Sequence, residues 1–87
     1  MTERAEPEVG AVYARCHDRG EPDDPTYHVD LSPVLVLEVT AFSVLYLILG
    51  HDVKRRPRSY VDGCLNGGLR VPFAGSPFYC TVRWVRL

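Results

Sequence analysis

The sequence predicts an α+β fold in which a small antiparallel sheet packs on one central apolar helix. Three observations lead to this fold class. The chain is 46% hydrophobic and 24% charged, one long apolar stretch lies at 31–49, and apolar and polar residues alternate on both sides of that stretch. A chain of 87 residues can bury one core but not two. We therefore expect a single compact domain at 9–87, preceded by a flexible acidic N-terminus at 1–8.

The central stretch, LSPVLVLEVTAFSVLYLIL, decides the fold class. Its ends are typical of a helix, because Ser32 can cap the first backbone N–H groups, Pro33 suits the first helical position, and Gly50 can adopt the left-handed conformation that ends helices. Its interior is rich in β-branched residues, which favour strands, and a period of two leaves both faces apolar. The alternative fold is therefore a small all-β barrel with this stretch as one long strand.

The same stretch has the length of a membrane span. As a helix it would rise about 28 Å, which is close to the thickness of the hydrocarbon layer. Glu38 opposes insertion, because an acidic side chain inside the bilayer costs roughly 2.5 to 3.5 kcal/mol. A small single-pass membrane protein with its span at 31–49 is thus an alternative to the globular fold.

The N-terminal third predicts a hairpin with a wide loop. Residues 9–16, VGAVYARC, alternate as a strand does, and the alternation resumes at 27–31. The intervening segment, HDRGEPDDPT, is dense in Gly, Pro and Asp, which is typical of a loop.

After the central stretch, the sequence predicts a polar connector at 51–59, a short strand at 60–64, a turn at 66–68 and a C-terminal hairpin. The hairpin joins 69–73 to 78–84, where apolar residues alternate with polar ones. One core is expected to collect apolar residues from all these segments: Val12, Val29, Leu35, Leu37, Phe42, Leu45, Ile48, Val71, Phe78, Val82 and Trp84.

Charge is distributed unevenly along the chain. Residues 1–30 carry eight acidic and three basic side chains, whereas 31–87 carry three acidic and seven basic ones, for a net charge of −1 overall. The densest positive charge follows the central stretch and gives the candidate binding residues: Lys54, Arg55, Arg56, Arg58 and Tyr60. Because such cations neutralise phosphates and aromatic rings stack on bases, a small nucleic-acid-binding domain is another alternative.

The sequence contains no glycine-rich nucleotide loop, no HExxH and no GxSxG. The three cysteines, Cys16, Cys64 and Cys80, are widely spaced, which argues against a disulfide framework and against a zinc site. We therefore predict no catalytic residue, no cofactor and no metal, although enzymatic activity stays open. The N-terminus lacks a charged and then apolar leader, so we expect a cytoplasmic location.

A domain this small without a catalytic pattern generally functions through its surface. The sequence thus predicts a non-enzymatic protein-binding module with a protein partner, and its size and composition suggest an accessory or inhibitor protein of a phage or bacterium. Nucleic acid and membrane are less favoured partners, and oligomeric state is left open.

Overall fold

The computed structural model describes residues 4–19, 28–72 and 79–87. The described residues are compact, with a radius of gyration of 13.4 Å. The elements in chain order are β1 (Val12–Arg19), β2 (His28–Val39), β3 (Ser43–Ile48), β4 (Val53–Pro57), α1 (Arg58–Leu65), β5 (Leu69–Pro72) and β6 (Tyr79–Arg86).

The strands form one six-stranded sheet in the order β4-β3-β2-β1-β6-β5. Every neighbouring pair is antiparallel, and the sheet curves into a half-barrel. β4 and β5 are the two edges, and α1 connects them. Because α1 must cross from one edge to the other, it packs over one side of the sheet and contacts β3, β4, β5 and β6. We call this side the inner face and the opposite side the outer face.

The predicted α+β fold with a central apolar helix is wrong, because the protein is mostly sheet. The stretch 31–49 is neither a helix nor one long strand, since it contains most of β2 and all of β3. Thr40 holds the turn between them. Its backbone N–H donates to the Ser43 carbonyl at 2.9 Å, and its hydroxyl oxygen accepts from the Ser43 N–H at 2.9 Å. These polar residues divide the apolar run, and the β-branched residues around them follow their strand preference.

The residues that resembled helix ends serve the sheet instead. Pro33 lies within β2, and its carbonyl accepts from the Leu49 N–H at 3.1 Å. Gly50 adopts a positive φ of 85° in the turn that leads to β4. Within the described ranges, no helix has the length and apolar character needed to cross a membrane.

Both predicted hairpins are confirmed, because β1 pairs with β2 and β5 pairs with β6. The residues that connect these strands, 20–27 and 73–78, lie outside the described residues, and the second segment includes the predicted loop at 74–77. The turn at 66–68 is confirmed as well, since Gly67 and Gly68 have φ values of 103° and 96°.

Two predictions between these hairpins are wrong. The expected strand at 60–64 lies in α1, and the expected connector contains the edge strand β4. Pro57 ends β4 and directly precedes the first helical residue. Proline is tolerated at this boundary because the first N–H groups of a helix have no partner within the helix.

The core lies between the inner face and α1. Its least exposed large side chains are Tyr46, Val34, Val36, Val44, Val61, Val82, Cys64 and Cys80. The Trp84 ring meets the Tyr46 ring edge-on at 4.8 Å and the Tyr13 ring at 5.7 Å. Aromatic pairs of this kind add roughly 0.5 to 1.5 kcal/mol to the free energy gained by burial.

Several residues expected in the core lie elsewhere. Ile48, Val82 and Trp84 are buried as expected, but Phe42 is 87% exposed in the turn after β2. Leu35 and Leu45 are half-buried on the outer face. The reason is that successive strand residues point to opposite sides, so an unbroken apolar run supplies both faces.

Candidate functional site

The predicted basic residues do not form one patch. Lys54 and Arg56 pair with the buried residues Tyr46 and Val44 and therefore belong to the inner face. Arg55 lies between them on the outer face, opposite Leu45. The remaining two residues, Arg58 and Tyr60, belong to α1.

Internal contacts also neutralise or cover most of this charge. Arg55 Nη1 lies 3.3 Å from a Glu38 carboxylate oxygen and donates to Ser43 Oγ at 2.9 Å. Arg58 Nε lies 3.0 Å from an Asp62 carboxylate oxygen.

The remaining two cations, Lys54 and Arg56, lie on the edge strand β4. The Arg56 guanidinium stacks on the Tyr60 ring at 5.3 Å. Three consecutive cations followed by Pro57 on the edge strand β4 are also a common protection against pairing with another strand. These contacts favour a structural role for Arg55, Arg56 and Arg58, whereas Lys54 lines a cleft that is described below.

The buried polar groups near the helix are held neutral. Burial raises the pKa of the Tyr46 hydroxyl, although the nearby Arg56 guanidinium opposes that shift. Burial also raises the pKa of the Cys64 thiol to about 11, so it stays protonated at neutral pH. A protonated buried thiol is a poor nucleophile and a poor metal ligand. Among the described residues, no three His, Cys, Asp or Glu side chains come together as a metal site.

The outer face carries a broad apolar surface. One row of side chains crosses β1, β2, β3 and β4, and a shorter row crosses β6, β1 and β2. Val12, Val53 and Val85 are 38%, 49% and 55% exposed. We call the two rows the outer apolar surface, and its residues are Val12, Leu35, Leu47 and Val53 in the first row and Val85, Ala14 and Pro33 in the second.

Two ion pairs flank the outer apolar surface at opposite ends of the strands. Arg55 pairs with Glu38 at one end. At the other end, Arg83 Nη2 lies 3.0 Å from an Asp18 carboxylate oxygen. An apolar centre with a polar rim is typical of protein interfaces. Both of these flanking cations are paired within the chain, whereas Arg70 on the edge strand β5 lies on the same face and stacks on the Tyr79 ring at 4.6 Å.

A second surface includes residues 4–8, which lie beside the end of α1. We call these residues the N-terminal strap. The Asn66 side chain accepts from the Ala5 N–H at 2.8 Å and donates to the Ala5 carbonyl at 2.9 Å. Pro7 is buried, and a Glu8 carboxylate oxygen lies 2.9 Å from Arg86 Nη1. This hydrogen-bonded pair raises the pKa of the exposed Arg86 guanidinium. The strap borders a cleft of about 740 Å³. Whether the N-terminus is flexible, as expected from the sequence, stays a prediction.

A third surface is a polar cleft of about 490 Å³ on the inner face, which we call the inner cleft. Arg15 and Ser32 line it as opposite residues of β1 and β2. His17 and Asp30 line it in the same way, one step further along the strands, and both have interaction partners of their own. The remaining lining residues are Leu31, Ile48, His51 and Lys54.

The chain matches no protein-family model, no curated protein and no solved structure. Its function must therefore be inferred from these surfaces.

Sequence reasoning missed all three surfaces, although one signal for the outer apolar surface was present. A period-two pattern places apolar residues on both faces of 34–41, as expected for a strand that is covered on both sides. The strap and the inner cleft join residues far apart in the chain, such as Ala5 with Asn66 and Arg15 with Lys54, and no sequence pattern reports such pairings.

Proposed function

We propose that this chain is a non-enzymatic protein-binding module that binds through its outer apolar surface, and that the occupant of this surface is a second copy of the chain. The observation that carries the proposal is a sheet with apolar side chains on both faces, of which α1 covers only one. Sheets that meet water on one side normally alternate apolar with polar residues.

The size of the outer face suits a dimer. The described residues form a two-layer domain of 38 × 36 × 23 Å, in which the curved sheet carries α1 on its inner face. Its broad side exceeds the area of about 800 Å² that each partner contributes to an interface of standard size. Because each sheet is curved, two copies would meet over the central part of their outer faces, and their inner faces would stay packed on the helices.

The charges around the surface also suit a second copy. In a symmetric dimer each patch meets itself, so an unpaired charge at the rim would face a like charge. Here Arg55 is paired with Glu38 and Arg83 with Asp18, and the net charge of the whole chain is only −1. These pairs limit the repulsion between two copies to the exposed Arg70 on the edge strand β5.

Leu47 lies in the middle of the long row, opposite Leu35 on one side and Val53 on the other. Leu47→Glu would place two carboxylates in the symmetric interface, and the effective desolvation penalty is several kcal/mol for each buried ion. In the monomer Leu47 is partly exposed on the outer face, so the longer Glu side chain can extend its carboxylate into water. The variant should therefore fold and fail to dimerise.

The test is sedimentation equilibrium over a concentration series, with light scattering after size-exclusion chromatography. The control is Phe42→Glu, which changes an apolar residue that is 87% exposed but lies in the turn outside the outer apolar surface. We expect a dimer for the unmodified chain and for Phe42→Glu, and a monomer with an unchanged circular dichroism spectrum for Leu47→Glu. A monomer for the unmodified chain at every concentration, or equal loss in both variants, would refute the proposal.

A further inference from the structure

Arg15 in the inner cleft differs from the other partly buried arginines. Three arginines with described side chains are partly buried: Arg15, Arg56 and Arg58. Arg58 is paired with Asp62, and Arg56 stacks on Tyr60. Arg15 has neither kind of contact within the described residues, and its Nε atom, like that of Arg56, is shielded from solvent without a hydrogen-bond partner. A partly buried cation without a counter-charge is costly unless a partner neutralises it.

The surroundings of Arg15 can complete an anion site. Ser32 is its cross-strand neighbour and brings a hydroxyl donor to the same cleft. Lys54 lines the cleft from the edge strand β4 and adds a second cation. Asp30 is the single acidic residue among the lining residues, and it has interaction partners of its own. Arg15 and Lys54 therefore outnumber the single carboxylate among the lining residues.

The shape of the cleft indicates the size of the ligand. Its volume of about 490 Å³ lies within the range typical of small-molecule sites, roughly 300 to 1,000 Å³. Ile48 provides apolar lining beside the cations. The complementary molecule has a small apolar body and one oxyanion, since a guanidinium binds two oxygens of a phosphate or a carboxylate at once.

We propose that the inner cleft binds a small organic oxyanion, with Arg15 holding two of its oxygens and Lys54 and Ser32 completing the contacts. This site lies on the inner face and is independent of the outer apolar surface.

The probes are phenyl phosphate and benzoate, which separate phosphate from carboxylate, with inorganic phosphate to test the anion alone. Binding is measured by calorimetry at constant ionic strength, and amide chemical shifts in ¹⁵N spectra locate the site. We expect saturable binding in the millimolar range or tighter by at least one organic probe, with shifts concentrated at Arg15, Ser32, His51 and Lys54.

Arg15→Gln should weaken that binding about tenfold or more, because charge-assisted hydrogen bonds are lost. Lys54→Gln, at an exposed position, should weaken it several-fold and provides the test if Arg15→Gln does not fold. The matched control is Arg70→Gln, which removes the same charge from an exposed arginine stacked on Tyr79 at 4.6 Å, away from the cleft. Lack of saturable binding by all probes, dispersed shifts, or an equal loss in Arg70→Gln would overturn the proposal.

Discussion

Asn66 is expected to couple the N-terminal strap to the helix end, and Asn66→Ala tests this contact. Its side chain makes two hydrogen bonds to the Ala5 backbone, at 2.8 and 2.9 Å, and donates a third to the Asp62 carbonyl at 2.7 Å. Exposed bonds contribute near the lower limit of the usual net range, about 0.5 to 1 kcal/mol each, so the loss of three bonds should cost about 1.5 to 3 kcal/mol.

A double-mutant cycle isolates the part that belongs to the strap. In a chain that lacks residues 1–8, only the bond from Asn66 to Asp62 remains, so Asn66→Ala should cost about 0.5 to 1 kcal/mol there. The coupling free energy between the two changes is therefore about 1 to 2 kcal/mol. Without the strap bonds, the two changes would not interact.

Urea unfolding followed by tryptophan fluorescence measures each corner of the cycle, because Trp84 is the single tryptophan and lines the cleft beside the strap. A second cycle serves as control. It combines the truncation with Arg83→Gln, which affects an ion pair to Asp18 on the outer face, and it should be additive. Additive free energies in the Asn66 cycle would refute the strap contact.

Two further predictions concern the turn before β5 and a buried thiol. Gly68→Ala should destabilise the fold by roughly 1 to 3 kcal/mol, because Gly68 has a φ of 96° and a Cβ there would lie 2.6 Å from Arg83 Cγ. In the control Gly67→Ala, the added Cβ meets no atom within 4 Å, so the cost should be smaller. Equal urea midpoints for the two variants would contradict this prediction. Cys64, with a pKa raised from 9.0 to about 11, should react with a thiol reagent far more slowly at pH 8 than the partly exposed Cys16. Its protonated form is favoured in the folded state, so its contribution to stability is complete below about pH 9 and is lost as the pH rises toward 11. Equal labelling rates, or stability that is constant over that interval, would contradict the prediction.

In the basic cluster, composition is local information, whereas the direction and pairing of the charges depend on contacts between distant residues. The density of charge at 54–58 was evident from the sequence, but its distribution was not. Once 53–57 form a strand, Arg55 and Arg56 must point to opposite sides, and once β4 lies beside β3, Glu38 comes within reach of Arg55. The sequence predicted the density of positive charge in the cluster correctly, whereas the contacts that neutralise this charge depend on strand pairing.

The sequence by itself determined the features that depend on neighbouring residues. Alternation over a few residues was sufficient for both hairpins, and the two glycines after Asn66 were sufficient for the turn. The tertiary structure alone decided that 31–49 folds as two strands and which of its two apolar faces is buried. The physical reason is that both phases of a period-two pattern are apolar there, so local preference does not distinguish them. That choice depends on α1, which crosses between the sheet edges and covers the face with Val34, Val36 and Tyr46. Leu35 and Leu47 are thereby left on the outer face.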